Sequence, residues 1–521
     1  MRRWLQKHEM LLDSLLLAAL AALLRLWGVG FDLPNLYHRD EAKYVTIPLN
    51  IIKTGDYNPH FFNYPSLFFY LLMAVYALYF LWMASRGQLG SLDGLVLPEQ
   101  VMPNVVGRAT MPSQFLVGRG MVAVSSVLTV LLVYWITRRA YNRRAAVLAA
   151  LLLCFSPTHV RNSHFIAPDV PMILFLAASF AFTYEVWHHG RRRDCVLAGF
   201  LAGLAISTKY NAYPILVPLL VATMMRPNQS RSIGANLALA LGSCLCGFLI
   251  TTPYALLDLP AFLNGLAFEL RHYATLGDPG TEYQNALLWY TGYLLRNEGV
   301  LPLLAALEAL RGALTRSRKV LLMLSFPATY LVLLASSVVK NDRTILTIVP
   351  FLAMLAGGLL DRLIEWVRVR LAILRRYTTL GYVATLLVAL SALLWPALRA
   401  VEIDIRFTQE DVRTQVTEWL EKELPASRIA GEYYSPLLVS SKHEFHWLDR
   451  AIDEPIAWYE ESVDYVVFVE NRYGGFYLDP SRYSAETSAY DRMFEQFMPV
   501  KEFQGGALGN PCAAKVYKVT P

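Results

Sequence analysis

Charge is scarce in this chain. Only 17% of its 521 residues are Asp, Glu, Lys or Arg, against 55% that are apolar, and mean hydropathy is positive. That balance excludes a water-soluble globule and leaves a protein that spends its residues on crossing a bilayer. Cysteine is nearly as scarce. Cys154, Cys195, Cys244 and Cys246 lie in or beside apolar stretches and Cys512 stands alone in the tail, so neither a disulfide framework nor a Cys-based zinc site can be drawn. A small-residue cleavage site is missing too: the first apolar run follows Arg2, Arg3 and Lys7, carries Arg25 and ends at Trp27-Gly28, as a retained helix would. Internal repeats and low-complexity tracts are absent. The net charge of +6 comes from Arg and Lys gathered in short loops between apolar stretches, where they set topology, so no nucleic-acid partner is expected.

What the chain does have is a succession of apolar stretches about 15–20 residues long, the length of bilayer-spanning helices. The expected fold class is an α-helical polytopic membrane protein with about 11–13 membrane helices. Basic clusters occur at Arg2/Arg3/Lys7, Arg138/Arg139/Arg143/Arg144, Arg191–Arg193, Arg226/Arg231, Arg311/Arg316/Arg318/Lys319 and Arg362–Arg376. The positive-inside rule puts all of them on the cytoplasmic face, which demands paired crossings between them. Spans near 145–163, 168–187, 195–208, 211–225, 233–252, 286–306, 320–339 and 344–361 satisfy this, and one near 378–397 exports the tail. Only the first interval holds a stretch too many, with 11–29, 65–84 and 118–137 where two are allowed, so the segment 65–84 is expected to be re-entrant. Residues 1–400 then form the membrane domain, with outer loops 30–64 and 253–286. Residues 401–521 lose the apolar spans and show an amphipathic helix near Val412–Leu424 and strands near Arg428–Tyr434 and Tyr465–Glu470, a small extracytoplasmic α/β domain.

This topology gathers polar residues on the outer face. Asp40 and Glu41, in Leu36-Tyr-His-Arg-Asp-Glu-Ala-Lys-Tyr44, follow the first span; acids at a membrane edge suggest a use, although a local salt bridge is the plainer explanation. Asp169 ends Ser163-His-Phe-Ile-Ala-Pro-Asp169, and Lys209 and Arg343 stand in turns on the same face. Such a set suits transfer of a group from a phosphate leaving group, with a carboxylate, Asp40, as general base and cations stabilising the departing phosphate. Lys209 at a helix end is equally explained by snorkelling to the interface. A divalent metal held by Asp169 with Asp40 or Glu41 is one use of the second acid, and orientation of a cation is the other; Glu41 likewise stands open between metal contact and orientation.

The run His38–Tyr44, followed by Gly55-Asp-Tyr-Asn-Pro59 and Phe62-Asn-Tyr-Pro-Ser-Leu-Phe68, resembles the first outer loop of polyprenyl-phosphate-sugar-dependent glycosyltransferases of the GT-C fold, similar to glycosyltransferase family 39, which includes protein O-mannosyltransferases and the lipid A aminoarabinose transferase. The resemblance continues through Val117–Tyr141, Leu153-Cys-Phe-Ser-Pro157, Ser207-Thr-Lys-Tyr210 and Asp342-Arg-Thr-Ile-Leu-Thr-Ile-Val-Pro350. It implies an inverting transfer of a sugar, mannose-like in chemistry, from a polyprenyl-phosphate donor to a protein, lipid or glycan acceptor. In that reaction Asp40 is the base, beside Glu41, and Asp169 is the second acid. Lys209 and Arg343 match cationic positions near the lipid phosphate. Where relatives have Lys-Pro-Pro-Leu or His-Pro-Pro-Leu, this chain has Asn63-Tyr-Pro-Ser-Leu67, so His60, Lys209 or Arg271 is expected to supply the missing cation. A lipid flippase and a membrane-anchored outer binding module are the rival readings.

Overall fold

The computed structural model describes residues 2–102, 105–226, 233–275, 279, 284–373, 378–435, 442–504 and 513–519. Arg231, Arg376 and Cys512 lie outside them. The chain opens with α1 (Arg2–Leu26), then α2 (Arg39–Thr54) and α3 (Leu67–Ser85). A ribbon of β1 (Glu99–Met102) and β2 (Val105–Arg108) leads to α4 (Pro112–Ala140). Next come α5 (Arg143–Cys154), α6 (Pro157–Asn162), α7 (Asp169–His189), α8 (Arg192–Thr208), α9 (Leu216–Met224) and α10 (Ile233–Thr251). A turn, α11 (Tyr254–Leu257), precedes α12 (Leu259–Thr275), which occupies the expected outer loop. The helical part closes with α13 (Ala286–Glu298), α14 (Leu301–Leu314), α15 (Arg318–Ala335), α16 (Asp342–Leu346), α17 (Val349–Ile373) and α18 (Thr378–Phe407).

Among the described residues, 6 helices are long and apolar enough to cross a bilayer alone: α3, α4, α7, α10, α15 and the helix through Leu386. The protein is an integral membrane protein of the expected helical class. Several expected spans are broken instead of continuous, and the breaks have identifiable causes. The stretch 145–163 splits at Ser156-Pro157, because proline lacks the N–H that would continue the ladder and the Ser156 hydroxyl caps α6 by accepting from the His159 amide. The stretch 286–306 splits at Gly299, whose φ of +60° suits glycine. The freed groups are not left bare. Arg25, wholly buried in α1, donates to the Cys154 carbonyl at 2.9 Å and the Leu153 carbonyl at 3.3 Å, while Glu298 accepts from the Ser156 hydroxyl at 2.9 Å and the Thr158 amide at 3.1 Å. Elsewhere helices close on small residues: a Cβ on Gly199 or Gly203 of α8 would stand 2.0 Å from the Ala240 carbonyl or 2.2 Å from that of Cys244 in α10.

The basic clusters meet at one end of the bundle. Arg138 pairs with Glu9 at 2.6 Å, Arg143 with Asp13 at 2.7 Å, Arg144 with Asp361 at 2.5 Å and Arg362 with Glu308 at 3.1 Å. Along α4, Arg138 is about 29 Å from Arg119, which belongs to the other end. The segment expected to be re-entrant is one continuous helix, α3. Its middle residue, Tyr76, lies against Gly118, near the start of α4, and the chain beyond it returns to the Asp40 end, where the Ala109 amide donates to Pro34 at 2.7 Å.

α18 runs past residue 400 to Phe407, and the C-terminal domain begins at α19 (Val412–Glu423). Its mixed sheet has 5 strands in the order β4-β3-β5-β7-β6, with β3 (Arg428–Glu432), β4 (Glu444–Leu448) and β5 (Tyr465–Val469) parallel and β6 (Met498–Phe503) and β7 (Ala514–Lys518) antiparallel. α19 covers one face; α20 (Ile456–Ser462) and α22 (Ser484–Gln496), separated by the turn α21 (Glu470–Tyr473), cover the other. The domain rests on the segment that leads to Asp40: the Tyr37 and Thr414 hydroxyls are 2.9 Å apart, and the Arg413 guanidinium lies 4.0 Å over the Tyr37 ring.

Glu432 is buried in this domain, accepting from the Tyr490 hydroxyl at 2.6 Å and the Ala451 amide at 3.0 Å. Burial outweighs these bonds and pushes its carboxyl up to about 7. The folded state therefore favours the neutral acid, and that stability is present in full below the ordinary carboxylate pKa of about 4.3 and is lost as pH rises toward 7. Hydrogen exchange of β3–β5 in the full-length protein should show opening free energies higher at pH 5.5 than at pH 7.5 by about 1–2 kcal/mol, and Glu432→Gln should remove that difference.

Candidate active site

Successive residues of a helix point about 100° apart, so Asp40 and Glu41, in the first turn of α2, face different surroundings. Glu41 faces inward and is fully buried. Its carboxylate accepts from Arg119 Nε at 3.0 Å and Nη2 at 2.7 Å, and from the Ile166 amide at 2.8 Å. Arg119 in turn donates through Nη1 to the carbonyls of Val29 at 2.8 Å and Phe31 at 2.9 Å, and lies 3.7 Å over the Phe31 ring. Glu41 is thus saturated by groups that hold the chain. Both of its oxygens are engaged in these bonds.

Asp40 faces the other way, with its side chain 37% exposed and Oδ2 accepting from Arg343 Nη1 at 3.0 Å. Burial would raise its carboxyl, but Arg343, His38 and Lys43 outweigh burial and hold it below the usual carboxylate range. Arg343 is presented in the same manner as Asp40. Its neighbour Asp342 is anchored by an ion pair with Arg161 and by Asn162 Nδ2 at 3.0 Å, and Asn341 caps α16 by accepting from the Thr344 amide at 2.9 Å. At the start of α7, Asp169 Oδ1 accepts from Lys209 Nζ at 2.8 Å; both residues are buried, and Asp169 Oδ2 has no hydrogen-bond partner among the described residues. Lys209 follows the last residue of α8 and lies 5.6 Å from the centre of the Tyr64 ring. Arg343 lies within electrostatic reach of both Asp40 and Asp169, and Lys209 within that of Arg343.

Beside these two acid–cation pairs runs a cleft of about 480 Å³. Lys209, Glu269, Tyr64, Asn211 and Thr344 are among its polar groups, and Ile206, Leu266, Leu270, Leu333 and Leu334 among its apolar walls. Burial raises the Glu269 carboxyl above the usual range. The structure brings together Asp40, Asp169, Lys209 and Arg343. Two expected phosphate ligands stand outside. His60 is 67% exposed and pairs with Asp56 at 2.7 Å, and Arg271 is exposed on α12; neither is among the residues that line the cleft. Sequence reasoning also missed Arg119, Asp342 and Glu269. A charge inside an apolar span such as 118–137 demands a partner, and that signal pointed to Arg119.

A divalent metal on Asp40 and Asp169 does not fit the residues present. Among the described residues no three His, Cys, Asp or Glu side chains converge as a cage, and each acid already holds a cation.

Residues 111–256 match the family model described as dolichyl-phosphate-mannose-protein mannosyltransferase. The fold is similar to that of ArnT from Cupriavidus metallidurans bound to undecaprenyl phosphate, with a TM-score of 0.53 and 16% identity over 96% of this chain and 97% of that one. An oligosaccharyltransferase from Archaeoglobus fulgidus in the apo form matches with a TM-score of 0.56 and 14% identity over 98% of this chain and 76% of that one. The archaeal oligosaccharyltransferase AglB from Archaeoglobus fulgidus, in complex with an inhibitory peptide and a dolichol-phosphate, matches with a TM-score of 0.54 and 13% identity over 96% of this chain and 74% of that one. None of the curated protein sequences matches the chain. The likeness to these structures shows the fold, a GT-C type membrane bundle, and the family model matches 146 of the 521 residues.

Glu41→Gln leaves the buried Arg119 uncompensated, and breaking such a pair typically costs about 3–5 kcal/mol. Thermal unfolding in detergent should show a loss of that order. Replacing both partners by apolar residues of similar volume should be less damaging than removing Glu41 alone.

Proposed function

We propose that the chain transfers a sugar from a polyprenyl-phosphate donor to a hydroxyl or amine on a protein, lipid or glycan at the outer membrane face, with inversion at the anomeric carbon. Asp40 accepts the acceptor's proton as the new bond to that carbon forms on the side opposite the phosphate. The bond to phosphate breaks, its electron pair stays on the phosphate oxygen, and Lys209 and Arg343 stabilise the charge that develops there. The isoprenoid lies along the apolar walls of the cleft. The basic end of the bundle faces the cytoplasm, which puts Asp40, both ends of α3 and the C-terminal domain on the outer side.

The observation that carries this reading is the arrangement itself: two acid–cation pairs beside an apolar cleft. Each cation has a carboxylate to exchange for phosphate. While Arg343 is paired with Asp40 the carboxylate is ionised but a weak base, and when Arg343 turns to the donor phosphate Asp40 becomes more basic. That two proteins of this fold carry undecaprenyl phosphate and dolichol-phosphate supports the lipid class of the donor.

The test uses the protein in proteoliposomes with a panel of labelled polyprenyl-phosphate sugars. Asp40→Asn should lower kcat by about 10²–10⁴-fold while leaving donor binding intact. Lys209→Ala and Arg343→Ala should instead raise KM for the donor. Full transfer by Asp40→Asn would overturn the assignment of the base, and unchanged donor kinetics in both cation variants would overturn that of the phosphate site.

A further inference from the structure

At the end of the bundle away from Asp40, α4, α7 and the start of α8 enclose a second cleft, of about 540 Å³. Its inner walls are apolar, with Leu132 and Ile136 of α4 facing Ala178 and Phe182 of α7. Both helices are long and apolar enough to cross a bilayer, and they end here at Ala140 and His189. The cleft therefore opens where a membrane surface stands, with its apolar walls at the depth of the acyl chains.

The rim carries both signs of charge. Arg139 is taken by an ion pair with Glu185 and lies 4.7 Å over the Trp135 ring. Arg191 and Arg193 are exposed; Arg191 forms no ion pair among the described residues, and Arg193 Nε stands 3.5 Å from Asp194 Oδ1. Asp194 is 4% exposed, and its Oδ2 has no hydrogen-bond partner among the described residues. A buried carboxylate oxygen without a donor is costly, and a cationic N–H answers it best. A purely anionic ligand would meet Asp194 unfavourably, and a purely cationic one would meet the arginines.

We infer that this cleft binds a zwitterionic aminophospholipid, phosphatidylethanolamine, with its phosphate on Arg191 and Arg193, its primary ammonium on Asp194 and an acyl chain along Leu132 and Phe182. Basic pockets between membrane helices are known lipid-headgroup sites, and the carboxylate sets the choice of headgroup. Ethanolamine offers N–H donors, the trimethylammonium of phosphatidylcholine offers none, and phosphatidylglycerol carries no cation.

Native mass spectrometry of the full-length protein tests this, after incubation with equal amounts of phosphatidylethanolamine, phosphatidylglycerol and phosphatidylcholine of identical chains. The ethanolamine lipid should dominate the adducts. Arg191→Gln and Asp194→Asn should each weaken its binding about tenfold, and only Asp194→Asn should abolish the preference over phosphatidylglycerol. Equal retention of the three lipids, preference for phosphatidylglycerol, or displacement of the bound lipid by millimolar inorganic phosphate would overturn the proposal. Arg191 is exposed and its replacement does not touch the core, so unchanged ethanolamine-lipid binding in that variant would overturn it as well, whether or not Asp194→Asn folds.

Discussion

Glu41 and Arg119 form a buried ion pair that ties together parts of the chain otherwise free to move apart: the end of α1 through the Val29 and Phe31 carbonyls, the first turn of α2, the body of α4, and the Ile166 backbone ahead of α7. A pair so enclosed is weak evidence for stability, because desolvation offsets much of its attraction. What it supplies is direction. With Glu41 fixed inward, Asp40, the residue before it in the same turn, is turned to another side, where it meets Arg343. The Arg161–Asp342 pair does the same for Arg343 from the opposite wall. In each case an acid anchored by an arginine sits next in sequence to the residue that faces the site.

The broken helices belong to the same design. α5 and α6 part at Ser156-Pro157, α13 and α14 at Gly299, and α8 gives way to an extended Lys209. Each break frees backbone groups that lipid cannot satisfy. Arg25 and Glu298 take those near Ser156. Short helices packed in protein can then present Lys209 and Arg343 from turns at the end of the bundle.

Much of this was legible in the sequence. Apolar length and basic loops sort the residues into two ends, and the structure gathers Arg138, Arg143, Arg144 and Arg362 at one end and Asp40, Asp169, Lys209 and Arg343 at the other. The tail's helix and strands near residues 412, 428 and 465 were visible in their periodicity. The helix breaks were less so, because hydropathy averages over a Pro or Gly. The division of labour between Asp40 and Glu41 was invisible, since it depends on α4 bringing Arg119 from 78 residues away. His60 pairs with Asp56 in an exposed turn and Arg271 is exposed on α12, and neither lines the cleft, a placement their charge alone does not reveal.

The central claim is that Lys209 and Arg343 exchange their carboxylates for a lipid phosphate whose chain lies in the cleft beside them. A cryo-electron-microscopy map of the protein with bound undecaprenyl phosphate tests it most directly. The account predicts phosphate density between Lys209 Nζ and the Arg343 guanidinium, and the isoprenoid running past Leu266 and Leu333. Phosphate density away from both cations, with the Asp40–Arg343 and Asp169–Lys209 pairs intact, would contradict it.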